Sequence, residues 1–104
     1  NKISYRIMNK VTNEKIEKYL KITKTALARI KIAKNLSKEN QKYAEEFLDM
    51  ATRYYKDAKH YKGKDDVVTA FASVNYAHGW IDSGARIGLF EVKEGSEDFV
   101  MPRE

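Results

Sequence analysis

"DDVVTAFASVNYAHGWIDSGARIGLF", residues 65–90, is the stretch that decides the fold, because its apolar residues recur at three- and four-residue spacing. That spacing predicts a helix with one face in a core. Asp65 or Asp66 is suited to cap its N-terminus. The core-facing positions are Val67, Ala70, Phe71, Val74, Ala77, Ile81, Ala85, Gly88 and Leu89.

The same helix is also apolar on its other side, where Tyr76, Trp80 and Ile87 lie nearly opposite the first set. A helix that is apolar around most of its circumference is typically the most buried element of its domain. Alternatively, the face with these three residues meets a partner chain. Small residues spaced by seven, Ala70, Ala77 and Gly84, predict close approach of a neighbouring helix, and Gly79 is interpreted as a packing contact too.

Two further helices precede this one. Thr12 or Asn13 caps the first and Ser37 caps the second, while Gly63 supplies a stop. The core-facing residues of the first helix are Ile16, Tyr19, Leu20, Thr23, Leu27 and Ile30. The core-facing residues of the second helix are Ala44, Phe47, Leu48, Ala51, Tyr54, Tyr55, Ala58 and Tyr61.

These patterns predict an all-α domain, an up-down-up three-helix bundle with short connections. We expect an extended N-terminal arm over residues 1–11, the bundle over 12–90 and an acidic C-terminal tail over 91–104. The first residues, "NKISYRI", alternate as strands do, so the arm either pairs with the tail or stays loose.

Composition excludes several classes of site. The chain has no cysteine, which rules out disulfides, thiolate metal sites and cysteine nucleophiles. No apolar run approaches the roughly 20 residues that span a bilayer, and no signal peptide is visible. We therefore expect a cytoplasmic protein with no membrane partner and no cofactor.

The net charge of +5 belongs to the N-terminal third, since residues 1–34 carry +8, residues 35–66 are neutral and residues 67–104 carry −3. A basic helix of this kind is one form of RNA-binding surface. The cations lie on three sides of the helix without interleaved aromatic residues, which favours an ordinary solvated face. The candidate residues are Lys15, Lys18, Lys21, Lys24, Arg29 and Lys31.

Four polar residues of the third helix, Asn75, His78, Asp82 and Arg86, share one side. The four-residue steps from His78 to Asp82 and on to Arg86 allow a chain of hydrogen bonds and ion pairs. A carboxylate beside a histidine is half of a general-base arrangement, but no nucleophile or pocket accompanies it. A structural network at the edge of the core is the favoured interpretation.

Metal and nuclease chemistry have little support. The chain holds only two histidines and no Glu-x-x-His motif, so no metal site is predicted. Arg53 followed by His60 resembles the Arg and His motif of HEPN-type helical ribonucleases, although Tyr54 stands where that family usually has a polar residue.

A longer resemblance covers residues 12–90. "DDVVTAFASVN" followed by "YAHGWIDSGARIGLF" is similar to the signature of an archaeal family, domain of unknown function 357, and the first two helices are similar to it as well. The resemblance implies an archaeal helical bundle and no catalytic residues. We expect a non-enzymatic interaction or scaffold module that binds a protein partner or itself, with RNA binding or a HEPN-like ribonuclease as alternatives.

Overall fold

The computed structural model describes residues 10–92, and the predicted all-α bundle is confirmed for them. Three helices pack together and a small two-stranded sheet closes one end. In chain order the elements are α1 (Asn13–Arg29), β1 (Ile30–Ile32), α2 (Lys38–Gly63), α3 (Val67–Arg86) and β2 (Phe90–Val92).

Each helix begins at a capping side chain that the sequence predicted. The side-chain oxygens of Thr12, Ser37 and Asp66 each accept a hydrogen bond, 3.1 Å long, from the backbone N–H three residues later. These bonds satisfy N–H groups that a helix start otherwise leaves unpaired. The turns between the helices are thereby fixed locally.

Helices α2 and α3 form the most extensive helix pair. Ala44, Ala51 and Ala58 of α2 are fully buried, as are Ala70 and Ala77 of α3. Two columns of alanine with seven-residue spacing let the two backbones approach closely. The predicted core-facing positions of Ala70 and Ala77 are therefore confirmed.

The end of α1 differs from the prediction, which extended that helix through Ile30. The helix ends at Arg29, and Ile30–Ile32 forms β1, antiparallel to β2, with Ile30 opposite Val92 and Ile32 opposite Phe90. Isoleucines on either side of one lysine suit a short strand, because β-branched residues favour extended backbone. Ala33 N–H also donates to the Leu89 carbonyl at 2.9 Å.

Gly84 and Gly63 have roles other than the predicted ones. Gly84 is buried, but a Cβ there would collide with the ring of Phe90, so this glycine admits the β2 side chain instead of a neighbouring helix. Gly63 is the last residue of α2 and not its left-handed stop; positive φ falls on Asp65, at 60°. The short polar side chain of aspartate tolerates that conformation better than most.

The hydrophobic core of the described residues consists of two clusters, one at each end of the bundle. Near the sheet, Ile81 of α3 belongs to a cluster with Leu89, Phe90 and two alanines of α2, Ala44 and Ala51. At the other end Tyr19 stacks on Phe71 with ring centroids 5.3 Å apart, beside the buried Val74. Helix α3 contributes to both ends of the core, as its length of apolar sequence predicted.

Thr23 of α1 is fully buried, and its hydroxyl has no hydrogen-bond partner among residues 10–92. A buried hydroxyl without a partner costs about 1–3 kcal/mol. We expect Thr23→Val to raise the free energy of unfolding by about 1 kcal/mol in urea denaturation. Thr23→Ser, which keeps the hydroxyl and removes a methyl group, is expected to lower it; equal values for both variants would contradict this account.

The predicted division into arm, bundle and tail stays a prediction. β2 carries the folded unit to Val92, two residues past the predicted boundary at residue 90. Residues 1–9 and 93–104 fall outside the described part of the chain, so the arm and most of the tail stay predictions. None of the helices described is long and apolar enough to cross a membrane.

Candidate interaction surface

Helix α3 presents an uncharged stripe to solvent on the side away from the core. Its six members are exposed, and at 100° per residue they lie within about 100° of the helix circumference. Val68, Tyr76 and Ile87 are 71%, 62% and 65% exposed. The uncharged stripe consists of Val68, Ala72, Tyr76, Gly79, Ser83 and Ile87.

Helix α3 contains an unusually long segment without charged residues. Residues 67–81 contain no Asp, Glu, Lys or Arg, whereas α1 and α2 carry charged residues throughout their exposed faces. Solvent-facing helix positions are ordinarily polar or charged, and contiguous exposed apolar surface marks interaction sites. The exposed side of α3 therefore has the composition of an interface.

A groove of about 570 Å³ lies beside the stripe, between α2 and α3. Phe47 meets Trp80 edge to face, with centroids 4.9 Å apart, and Tyr54 stacks on Tyr76 at 5.3 Å. These aromatic pairs hold the groove walls in place. The lining residues are Phe47, Ala72, Asn75, Tyr76, Gly79, Trp80 and Ser83.

Gly79 makes a hollow in the middle of this surface. A Cβ at Gly79 would meet no atom within 4 Å among the described residues, so internal packing does not require glycine here. This differs from the expectation that the glycines of α3 serve contacts with neighbouring helices. Gly79 lines the groove together with Tyr76, whose side chain is mostly exposed.

The structure brings together two of the three predicted interface residues. Tyr76 and Trp80 line the groove, with Trp80 half-buried, while Ile87 lies at the C-cap of α3, at the far end of the stripe. Sequence analysis missed Val68 and Gly79, and it placed Phe47 in the core. The missing charge in residues 67–81 was the signal that could have found the stripe.

The four predicted network residues divide between the core and the surface. His78 is 3% exposed, whereas Arg86 Nε donates to Asp82 Oδ2 at 3.0 Å on the outside of the helix. Asn75 Nδ2 donates to the Phe71 carbonyl at 2.9 Å, within its own helix. The expected link from Asp82 to Arg86 is present. The structural role of the group stays a prediction.

The Arg53 and His60 pair of the HEPN-like interpretation lies along one exposed helix face. Arg53 Nε binds Asp49 Oδ2 at 3.0 Å, and the His60 ring meets Tyr61 edge to face at 5.2 Å. On the same helix, burial raises the pKa of Tyr55 above 10.0. Within residues 10–92 no group of three acidic, histidine or cysteine side chains is placed to hold a metal ion.

The basic residues predicted for RNA binding lie on α1 and β1 and are mostly exposed. Lys15 is half-buried, and its Nζ lies 5.5 Å from the Phe71 ring centroid. Lys31 Nζ lies 3.6 Å from Glu91 Oε2 across the sheet. Lys18, Lys21 and Lys24 are exposed. Tyr19, the one aromatic residue of α1, is buried, so these lysines have no stacking platform on their own helix.

The family model for proteins of unknown function, DUF357, matches residues 18–90. This chain belongs to the DUF357 family. The DUF357 match starts within α1, covers α2 and α3 and ends on the first residue of β2, so it includes the stripe and the groove. Comparison with curated proteins and with solved structures gave no significant match. The archaeal origin and cytoplasmic location stay predictions.

Proposed function

We propose that this DUF357 chain is a non-enzymatic protein-interaction module that binds a helix of its partner along α3. The observation that carries the proposal is the uncharged stripe, which leaves Val68, Tyr76 and Ile87 exposed on a helix without charge from residue 67 to 81. Exposing such a face to water is unfavourable, and covering it with apolar surface lowers the free energy.

The groove beside the stripe supports a helix as the bound element. Phe47, Tyr76 and Trp80 supply aromatic anchors, the residue types that contribute most to binding at protein interfaces. Ala72, Gly79 and Ser83 between them have small side chains or none, which lets a partner backbone come close. Helix-in-groove recognition uses this combination of anchors and open floor.

RNA binding through α1 is the weaker candidate. The exposed lysines provide positive charge, but Lys15 and Lys31 are engaged within the protein and the aromatic ring of α1 is buried. Binding of single-stranded nucleic acid usually adds base stacking to charge. The ribonuclease alternative has less support still, because Arg53 is paired with Asp49 on an open helix face.

Photo-crosslinking tests the proposal directly. We expect benzoylphenylalanine at position 76, in the full chain expressed in its natural host, to form protein adducts that mass spectrometry identifies. The matched control places the same amino acid at His60, an exposed ring position on the opposite side of α2. Adducts at position 76 no more frequent than those at position 60 would overturn the proposal.

A further inference from the structure

We infer that the partner helix is α3 of a second copy of this chain, packed antiparallel about a two-fold axis near Ala77 and His78. This inference rests on the proposed function and names its partner. The steps along the uncharged stripe are four, four, three, four and four residues, a pattern that reads the same in both directions. An antiparallel copy therefore places stripe against stripe along its whole length.

The two-fold axis also pairs large side chains of one copy with small side chains of the other. Pairing about residue 77.5 places Tyr76 of one copy opposite Gly79 of the other, and Ala72 opposite Ser83. The exposed Tyr76 ring thus meets the hollow at Gly79, where the described residues leave room for a side chain. At the two ends Val68 lies opposite Ile87, so the most exposed aliphatic residues cover one another.

Charge also favours a second copy. A two-fold axis brings each residue near it close to its own duplicate, so any charge there would face a like charge. Residues 67–81 carry no Asp, Glu, Lys or Arg. At the ends, Arg86 of one copy comes within about one helical turn of Asp65 and Asp66 of the other, which places opposite charges together.

The antiparallel arrangement makes a specific cross-linking prediction, because the chain has no cysteine of its own. We expect Ala72→Cys mixed with Ser83→Cys to form a disulfide-linked heterodimer on mild oxidation. Each variant alone is the control. Two copies of residue 72 lie about 16 Å apart along the paired helices, too far for a disulfide, which needs Cα atoms within about 7 Å.

Sedimentation of the unmodified full chain gives the second measurement. We expect a concentration-dependent monomer–dimer equilibrium between about 1 µM and 1 mM. Tyr76→Glu places two carboxylates near the axis and is expected to weaken the dimer by at least about tenfold. His60→Glu, on the opposite side of α2, is expected to leave the equilibrium unchanged.

Each outcome supports or overturns the inference. Heterodimers formed only in the mixture support it, whereas disulfides within either single variant, or a monomer at all concentrations, overturn it. A monomer whose position 76 cross-links to a different protein overturns the second copy and keeps the proposed function. Cross-links from position 76 to residues 1–9 or 93–104 of the same chain overturn both.

Discussion

Replacing Phe90 by alanine is expected to lower the free energy of unfolding by about 3–5 kcal/mol, the largest loss of stability from any single side chain at the sheet. The Phe90 ring is 5% exposed and packs with Ile81 and Leu89, so its removal leaves a cavity where α3 meets the sheet. A domain of this size has about 5–15 kcal/mol to lose. Urea denaturation followed by circular dichroism measures the change.

Val92→Ala is the matched control, because Val92 lies on the same strand with 39% of its surface exposed. Its loss is expected to stay below about 1 kcal/mol. Losses of the same size at the two positions would contradict the packing described for β2.

Gly84 tests the same contact from the other side. Gly84→Ala alone is expected to destabilise the protein, because the new methyl group collides with the Phe90 ring and overpacking costs about 1–3 kcal/mol. In the Phe90→Ala background the same change is expected to stabilise by about 1 kcal/mol, the helix propensity gained over glycine. A double-mutant cycle with a coupling below about 0.5 kcal/mol would contradict the contact.

Gly79→Gln is expected to weaken the proposed dimer by about tenfold or more while making the monomer more stable. In the monomer the site is open among the described residues, so glutamine gains up to about 1 kcal/mol of helix propensity. In the dimer its side chain occupies the hollow opposite Tyr76, and overpacking costs about 1–3 kcal/mol at each of the two equivalent contacts. Sedimentation and urea denaturation measure the two effects.

The matched control is Gly63→Gln, because Gly63 is also helical, exposed and free of close neighbours within the described part of the chain. It lies outside the uncharged stripe, so the dimer is expected to keep its wild-type dissociation constant. A Gly79→Gln variant that dimerises as tightly as the Gly63→Gln variant would contradict the pairing of Tyr76 with Gly79.

Opposite effects at Gly79 and Gly84, five residues apart in one helix, would separate two uses of glycine. Gly84 leaves room for the Phe90 ring of the same chain, whereas Gly79 leaves room that residues 10–92 do not fill. Sequence alone assigned both to helix packing, because neither burial nor open space is encoded in the identity of the residue.

Much of the fold followed from local rules. Capping residues and apolar spacing predicted the three helices, and the buried alanines Ala44, Ala51 and Ala70 confirm the predicted core-facing positions. The β1–β2 pair was missed, because Ile30–Ile32 continues the helical spacing of α1 and its partner lies about sixty residues away. Pairing over that separation depends on where the helices place the two segments.

The candidate surface was predicted in part, through Tyr76, Trp80 and Ile87. Their apolar character on the second side of α3 was visible in the sequence, and so was the absence of charge from residue 67 to 81. The structure added the groove, since Phe47 reaches it from α2, and it divided His78 in the core from Asp82 and Arg86 outside.

By itself the sequence determined the number of helices, their starts at Thr12, Ser37 and Asp66, and the family, because capping, periodicity and signature are properties of neighbouring residues. Only the tertiary structure decided which apolar face of α3 is covered. Helices α1 and α2 bury the side that includes Ala77, and the side that includes Tyr76 remains exposed, because two neighbouring helices cannot enclose the full circumference of a third.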